Sequence, residues 1–111
     1  MNKIELNGKT YIEEVTNDNP YVVIRSRDSG CHAGYLEEET DNYVILKKSR
    51  RLWYFSGAAS LSQLAMDGVS KPDDCKFPCE VDKIKVLNHC EIIQTTDKAR
   101  VSIQGVKIWR A

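Results

Sequence analysis

The densest run of chemistry-bearing side chains in the sequence is Arg50, Arg51, Trp53, Tyr54, Phe55, Ser56, Gly57 and Ser60. A guanidinium suits phosphate because its planar fork donates parallel hydrogen bonds, and an aromatic face suits a nucleobase because every base can stack on it. Ser56-Gly57 would let the main chain approach a ligand closely, and the unpaired amides of a helix starting just beyond would favour an anion. Arg50, Arg51, Trp53, Ser56, Gly57 and Ser60 are therefore the candidate ligand-binding residues. Two considerations oppose them. Adjacent arginines on a regular strand point to opposite faces, so only one would reach the anion unless a bulge or a neighbouring subunit intervenes. Aromatic residues in a strand commonly fill a core, and serines at a helix start commonly do no more than cap it.

Catalytic patterns are weaker. Gly57 is followed by alanines, without the glycine-to-lysine spacing of a nucleotide-hydrolysing loop. His32 and His89 each adjoin a cysteine, Cys31 and Cys90, and sequence neighbours on a strand face opposite ways. A Cys–His pair would therefore have to form between strands, which makes a hydrolase the lesser alternative to a binding protein. Cys75 and Cys79 are separated by three residues, one of them Pro78, rather than the two usual in zinc sites, so neither a metal nor a cofactor is expected. The acidic stretch Glu37 to Asp41 lacks the spacing of a calcium loop and reads as a solvated loop.

The elements that must position these residues are mostly strands. Asn7-Gly8 between Lys3 to Leu6 and Thr10 to Val15 predicts a hairpin with a type I′ turn. Thr16 to Pro20 is a polar turn, and Asp28-Ser29-Gly30 between Tyr21 to Arg27 and Cys31 to Leu36 predicts a second hairpin. Tyr43 to Lys48 and Arg51 to Phe55 read as one long or two consecutive strands. From Ala58 the apolar period becomes helical, through Leu61, Leu64 and Ala65, with Ser60 and Gln63 forming a capping box and Asp67-Gly68 an end. Lys83 to Leu87 and Glu91 to Thr95 look like further strands, Thr96 to Gln104 like a short second helix, and Val106 to Trp109 like a sheet edge. The expected fold class is α+β, a mostly antiparallel sheet or small barrel with one clear helix and a second short one, in a single domain over residues 1–111.

Composition narrows the partners. Sixteen basic residues balance sixteen acidic ones, so no overall field draws the chain to nucleic acid or an anionic membrane, and nucleic-acid binding through Lys47, Lys48, Arg50 and Arg51 ranks third, behind a small-molecule and a protein partner and ahead of a hydrolase. No apolar run approaches the roughly 20 residues that span a bilayer, and the start of the chain lacks the apolar region of a signal peptide. A reducing, cytoplasmic setting with free thiols on the four cysteines is expected.

The run from Arg50 to Ala65, RRLWYFSGAASLSQLA, resembles a family of small bacteriophage proteins classed as a domain of unknown function. The resemblance extends to Arg27-Asp28-Ser29-Gly30, Ala33-Gly34-Tyr35-Leu36, Lys76-Phe77-Pro78, Glu91-Ile92-Ile93 and Ser102-Ile103-Gln104. It implies a viral protein acting in the host bacterial cytoplasm, with no activity to transfer residue by residue. Small accessory proteins of this kind commonly disarm host defence and assemble as symmetric homo-oligomers. The expectation is thus a non-enzymatic protein that sequesters a phosphorylated small molecule, a nucleotide-derived defence signal. The alternative is a module that inhibits a host protein or belongs to the virion, anchored by Trp53, Tyr54 and Trp109.

Overall fold

In the computed structural model, which describes residues 3–6, 9–12 and 19–110, the sequence forms two antiparallel sheets, two α-helices and a single 3-10 turn. Strands β1 (Lys3–Leu6) and β2 (Lys9–Ile12) pair with each other, as the first hairpin requires. Its Asn7-Gly8 turn, and the polar turn from Thr16, fall on residues outside the described set.

The main sheet contains β3 (Tyr21–Ser26), β4 (Gly30–Glu39), β5 (Tyr43–Arg51), β6 (Val81–Leu87) and β7 (His89–Gln94), in the order β6-β5-β4-β3-β7. Every neighbouring pair is antiparallel. One residue, Asn88, separates β6 from β7, yet these strands lie at opposite edges of the sheet. That is geometrically feasible only if the sheet curls enough to bring the end of β6 to the start of β7, although the two edges do not pair and the sheet stays open. Asn88 makes the corner at φ 58, a conformation asparagine tolerates better than most residues. Its N–H donates to Asn42 O at 2.9 Å and its carbonyl accepts from Arg27 N at 3.1 Å, tying the corner to two turns.

The curl has a second cause in the β4–β5 ladder. Ala33 pairs with Arg50 and Tyr35 with Lys47, so β5 carries one more residue than β4 there, and Lys48 takes φ 49 in the bulge. Gly34 sits opposite, where an added Cβ would lie 3.1 Å from Leu46 Cβ and from Lys47 O. The two strands can therefore cross this closely only with hydrogen at that position. A second shift between Leu36 and Glu38 continues the bend. Strand β4 thus runs through Glu39, and the acidic stretch expected as a loop is largely exposed strand, with Glu37 paired to Lys83 at 3.3 Å.

Curling gives the sheet two apolar faces, which explains why Tyr21 to Ile24 are all buried. Val22, Ile24, Val44, Leu46 and Val86 fill the concave interior. Tyr21, Val23 and Ala33 face outward and are covered by α1 (Leu61–Asp67) and α2 (Asp97–Gly105), through Leu64, Ala65 and Ile103, together with Phe77. Helix α1 begins three residues later than the apolar period alone suggests because Ser60 caps it, Oγ accepting from Gln63 N at 3.1 Å. Thr96 caps α2 in the same way. Two expected strands are corrected: Trp53 to Phe55 make only the bridge Tyr54↔Lys76, and Val106 to Trp109 only the parallel bridge Phe77↔Ile108. Among the described residues no helix is long and apolar enough to cross a membrane.

Candidate functional site

The β5 bulge decides where the two arginines go. Beyond Lys48 the alternation is reset, so Ser49 and Arg51 share the concave face while Arg50 points to the helical side. Arg50 is buried, and four of its five guanidinium N–H groups reach main-chain carbonyls. Nε donates to Pro78 O at 3.0 Å, Nη1 to Ile103 O at 2.9 Å and Val106 O at 2.6 Å, and Nη2 to Phe77 O at 2.8 Å. It lies 5.5 Å from the Phe77 ring centroid and neutralises the carbonyl end of α2. Arg50 is thus held as a structural clamp, and the two arginines diverge as adjacent residues on a strand are expected to: the bulge that might have united them leaves them on opposite faces.

Arg51 stays exposed at the sheet's end, with Nη1 donating to Ser29 O at 2.7 Å. It borders a groove of about 680 Å³ between the β3–β4 turn and the segment after β5, lined also by Asp28, Cys31, Trp53, Tyr54 and Phe55. Leu52 turns into the core and Phe55 packs against it, which pushes the rings between them outward: Trp53 is 64% exposed and Tyr54 52%. The candidate aromatics therefore present their faces to solvent, the opposite of the core role that strand aromatics usually take. Asp28, across the turn, accepts from Asn88 Nδ2.

The remaining candidates serve the backbone. The hydroxyl of Ser60 is spent on its cap, and Gln63 Oε1 accepts from Ala59 N at 2.8 Å, so the start of this seven-residue helix is already satisfied. Ser56 N donates to Cys75 Sγ at 3.4 Å. Gly57 takes φ 85, and an added Cβ would fall 2.5 Å from Ser70 Oγ and 2.6 Å from Lys71 N. Gly57→Ala is accordingly expected to destabilise the fold by about 1–3 kcal/mol, since strain and clash add, which urea denaturation would reveal; an unchanged midpoint would return Gly57 to the ligand-binding set.

Three residues that the sequence reading did not select belong beside Arg51: Asp28, His32 and Ser49. His32 pairs directly with Arg51 across β4–β5 and is 1% exposed. Its Nε2 lies 3.1 Å from Ser29 Oγ, while Nδ1 has no partner among the described residues. Burial first, and then the Arg51 charge, push its pKa down to about 4, so the imidazole is neutral at physiological pH. A small-residue context, Cys31-His32-Ala33-Gly34, was the one signal available, and it acquires meaning only once the β5 register is known. Among the described residues no three His, Cys, Asp or Glu side chains cluster as metal ligands would.

A family model described as a domain of unknown function, DUF6948, matches residues 19–103, and the chain belongs to that family. No curated protein and no solved structure matches the chain.

Proposed function

We propose that this member of the family is a non-enzymatic binding protein that captures a nucleotide-like phosphorylated small molecule in the groove beside Arg51. The observation that carries the reading is the convergence of an exposed guanidinium with two solvent-facing rings, Trp53 and Tyr54, on one groove. Such a groove offers a stacking surface for a base, a cation for a phosphate and, in Asp28, an acceptor for sugar hydroxyls. The nearest imidazole, His32, is buried beside the Arg51 position, and we assign it no role as a general base. The bacteriophage setting drawn from the sequence makes a nucleotide-derived defence signal in the host cytoplasm the ligand class to try first, with a homo-oligomer as the expected assembly.

In a Trp109→Phe background, AMP, ADP-ribose and a cyclic dinucleotide should each be titrated against Trp53 fluorescence, and the affinities of the Trp53→Ala and Arg51→Ala variants compared with the parent by isothermal titration calorimetry. Stacking is worth about 1–3 kcal/mol per base, so Trp53→Ala should weaken the preferred ligand roughly tenfold or more, and Arg51→Ala comparably, with unchanged melting temperatures. Recovery of intact ligand after heat release supports capture. Chemically altered ligand, or no fluorescence response to any of the three, overturns the reading.

A protein interface is the second reading, favoured by one specific arrangement. The Tyr54↔Lys76 and Phe77↔Ile108 bridges place exposed Trp53, Tyr54, Ile108 and Trp109 along adjoining segments, with Lys76 Nζ 5.6 Å from the Trp109 ring centroid. A host partner whose binding is lost in Trp53→Ala and Trp109→Ala but kept in Arg51→Ala would favour it.

A further inference from the structure

The concave interior of the curled sheet ends in a polar mouth. Ile24, His32 and Arg51 are consecutive partners across β3, β4 and β5, so their side chains share the concave face above the apolar filling. Ser49, two residues before Arg51, falls on the same face. His32, Ser49 and Arg51 border a cavity of about 150 Å³, lined on its other side by Pro78, Cys79, Val81 and Ile84. Two of its lining side chains are almost fully buried, His32 at 1% and Ser49 at 2% exposure, and His32 Nδ1 and Ser49 Oγ both lack hydrogen-bond partners among the described residues. Buried polar groups without partners are rare, and two bordering one cavity mark a place where something polar belongs.

We infer that this mouth is a subsite for a tetrahedral oxyanion, the phosphate group of the ligand, held by His32 Nδ1, Ser49 Oγ and the Arg51 guanidinium. The inference rests on the groove reading for the identity of the ligand, and Arg51 joins the two: it borders both the groove and the cavity. The chemistry is that of donors alone. Ser29 Oγ, 3.1 Å from His32 Nε2, can donate to that nitrogen, and in that tautomer the ring proton sits on Nδ1. The Ser49 hydroxyl donates freely, and Arg51 supplies a full positive charge with its Nη1 alone committed, to Ser29 O. No carboxylate among the described residues lines the cavity. A space of this size would hold about five waters, at roughly 30 Å³ each, and a phosphate group is well within it. Curling brings side chains from neighbouring strands to one point, here His32 from β4 with Ser49 and Arg51 from β5.

The test follows the His32 imidazole by nitrogen-detected NMR, with His89 as internal control, during titration with inorganic phosphate and separately with AMP. A saturable shift of His32 by both, weakened about tenfold by Ser49→Ala, is the expected result, that being the worth of one hydrogen bond to a charged group. Trp53→Ala should leave inorganic phosphate unaffected and weaken AMP. Failure of phosphate to move His32, or phosphate binding indifferent to Ser49→Ala, overturns the subsite and assigns the cavity to water. AMP binding that needs Trp53 but ignores Ser49 likewise overturns the subsite and leaves the groove standing. Phosphate bound at His32 with no nucleotide bound at all supports the subsite as a site for free phosphate and overturns the groove.

Discussion

Arg50→Met should lower the stability of this domain by about 3–5 kcal/mol, the cost typical of removing one partner from a buried charged network. The methionine is close in length and apolar, so the loss arises from what the guanidinium leaves behind. Four carbonyls, at Phe77, Pro78, Ile103 and Val106, would each lose a charged donor, two of them in buried hydrogen bonds at the end of α2; Phe77 O and Ile103 O would keep only the main-chain donors Trp109 N and Val106 N. Domains have about 5–15 kcal/mol in total, so the variant should melt roughly 15–30 °C lower. Arg50→Lys should recover only part of this, because an ammonium cannot span four carbonyls with a planar fork. Arg51→Met, by contrast, should stay within about 0.5 kcal/mol of the parent, as exposed positions usually do. Thermal and urea denaturation followed by circular dichroism decide the matter; an Arg50→Met protein within about 1 kcal/mol of the parent would show that the clamp is not what joins β5 to α2.

The difference between two adjacent arginines also shows where the sequence stops being informative. Turns and caps are local, so Asp28-Ser29-Gly30, with Gly30 at φ 84, and Ser60 before α1 could be read directly. Among the described residues, both helices and six of the seven strands fall close to their expected places for that reason. The long β5 does not, because nothing in Lys47-Lys48-Ser49 marks a residue that will adopt positive φ; the bulge is imposed by the crossing of β4 at Gly34. Trp53 and Tyr54 carry strong strand propensity, yet they find a single bridge, because Leu52 and Phe55 claim the core positions on either side. The groove was legible as a region and Arg51 and Trp53 as members. The polar mouth was not legible, since His32 and Ser49 meet only through a register that the bulge creates.

Acid should expose that mouth in the stability of the whole domain. His32 is 1% exposed and its pKa falls from the usual 6.5 to about 4, chiefly through burial, with Arg51 adding repulsion. Between these values the unfolded chain binds a proton that the folded chain refuses, so unfolding takes up protons and stability rises with pH. The contribution is complete above about pH 6.5 and disappears as pH falls to about 4, amounting to about 3 kcal/mol at about 1.4 kcal/mol per pH unit. Urea denaturation in phosphate-free buffer at several pH values should show this slope, and His32→Gln should remove it whatever that variant does to stability at neutral pH. A His32 imidazole seen by NMR to titrate near 6.5 would contradict the burial argument outright. Phosphate adds a discriminating step, because an anion at Nδ1 favours the protonated ring and must move its titration upward. The acid-induced loss should then shrink in phosphate for the parent protein and stay unchanged for Ser49→Ala, which couples the stability of the fold to occupancy of its open end.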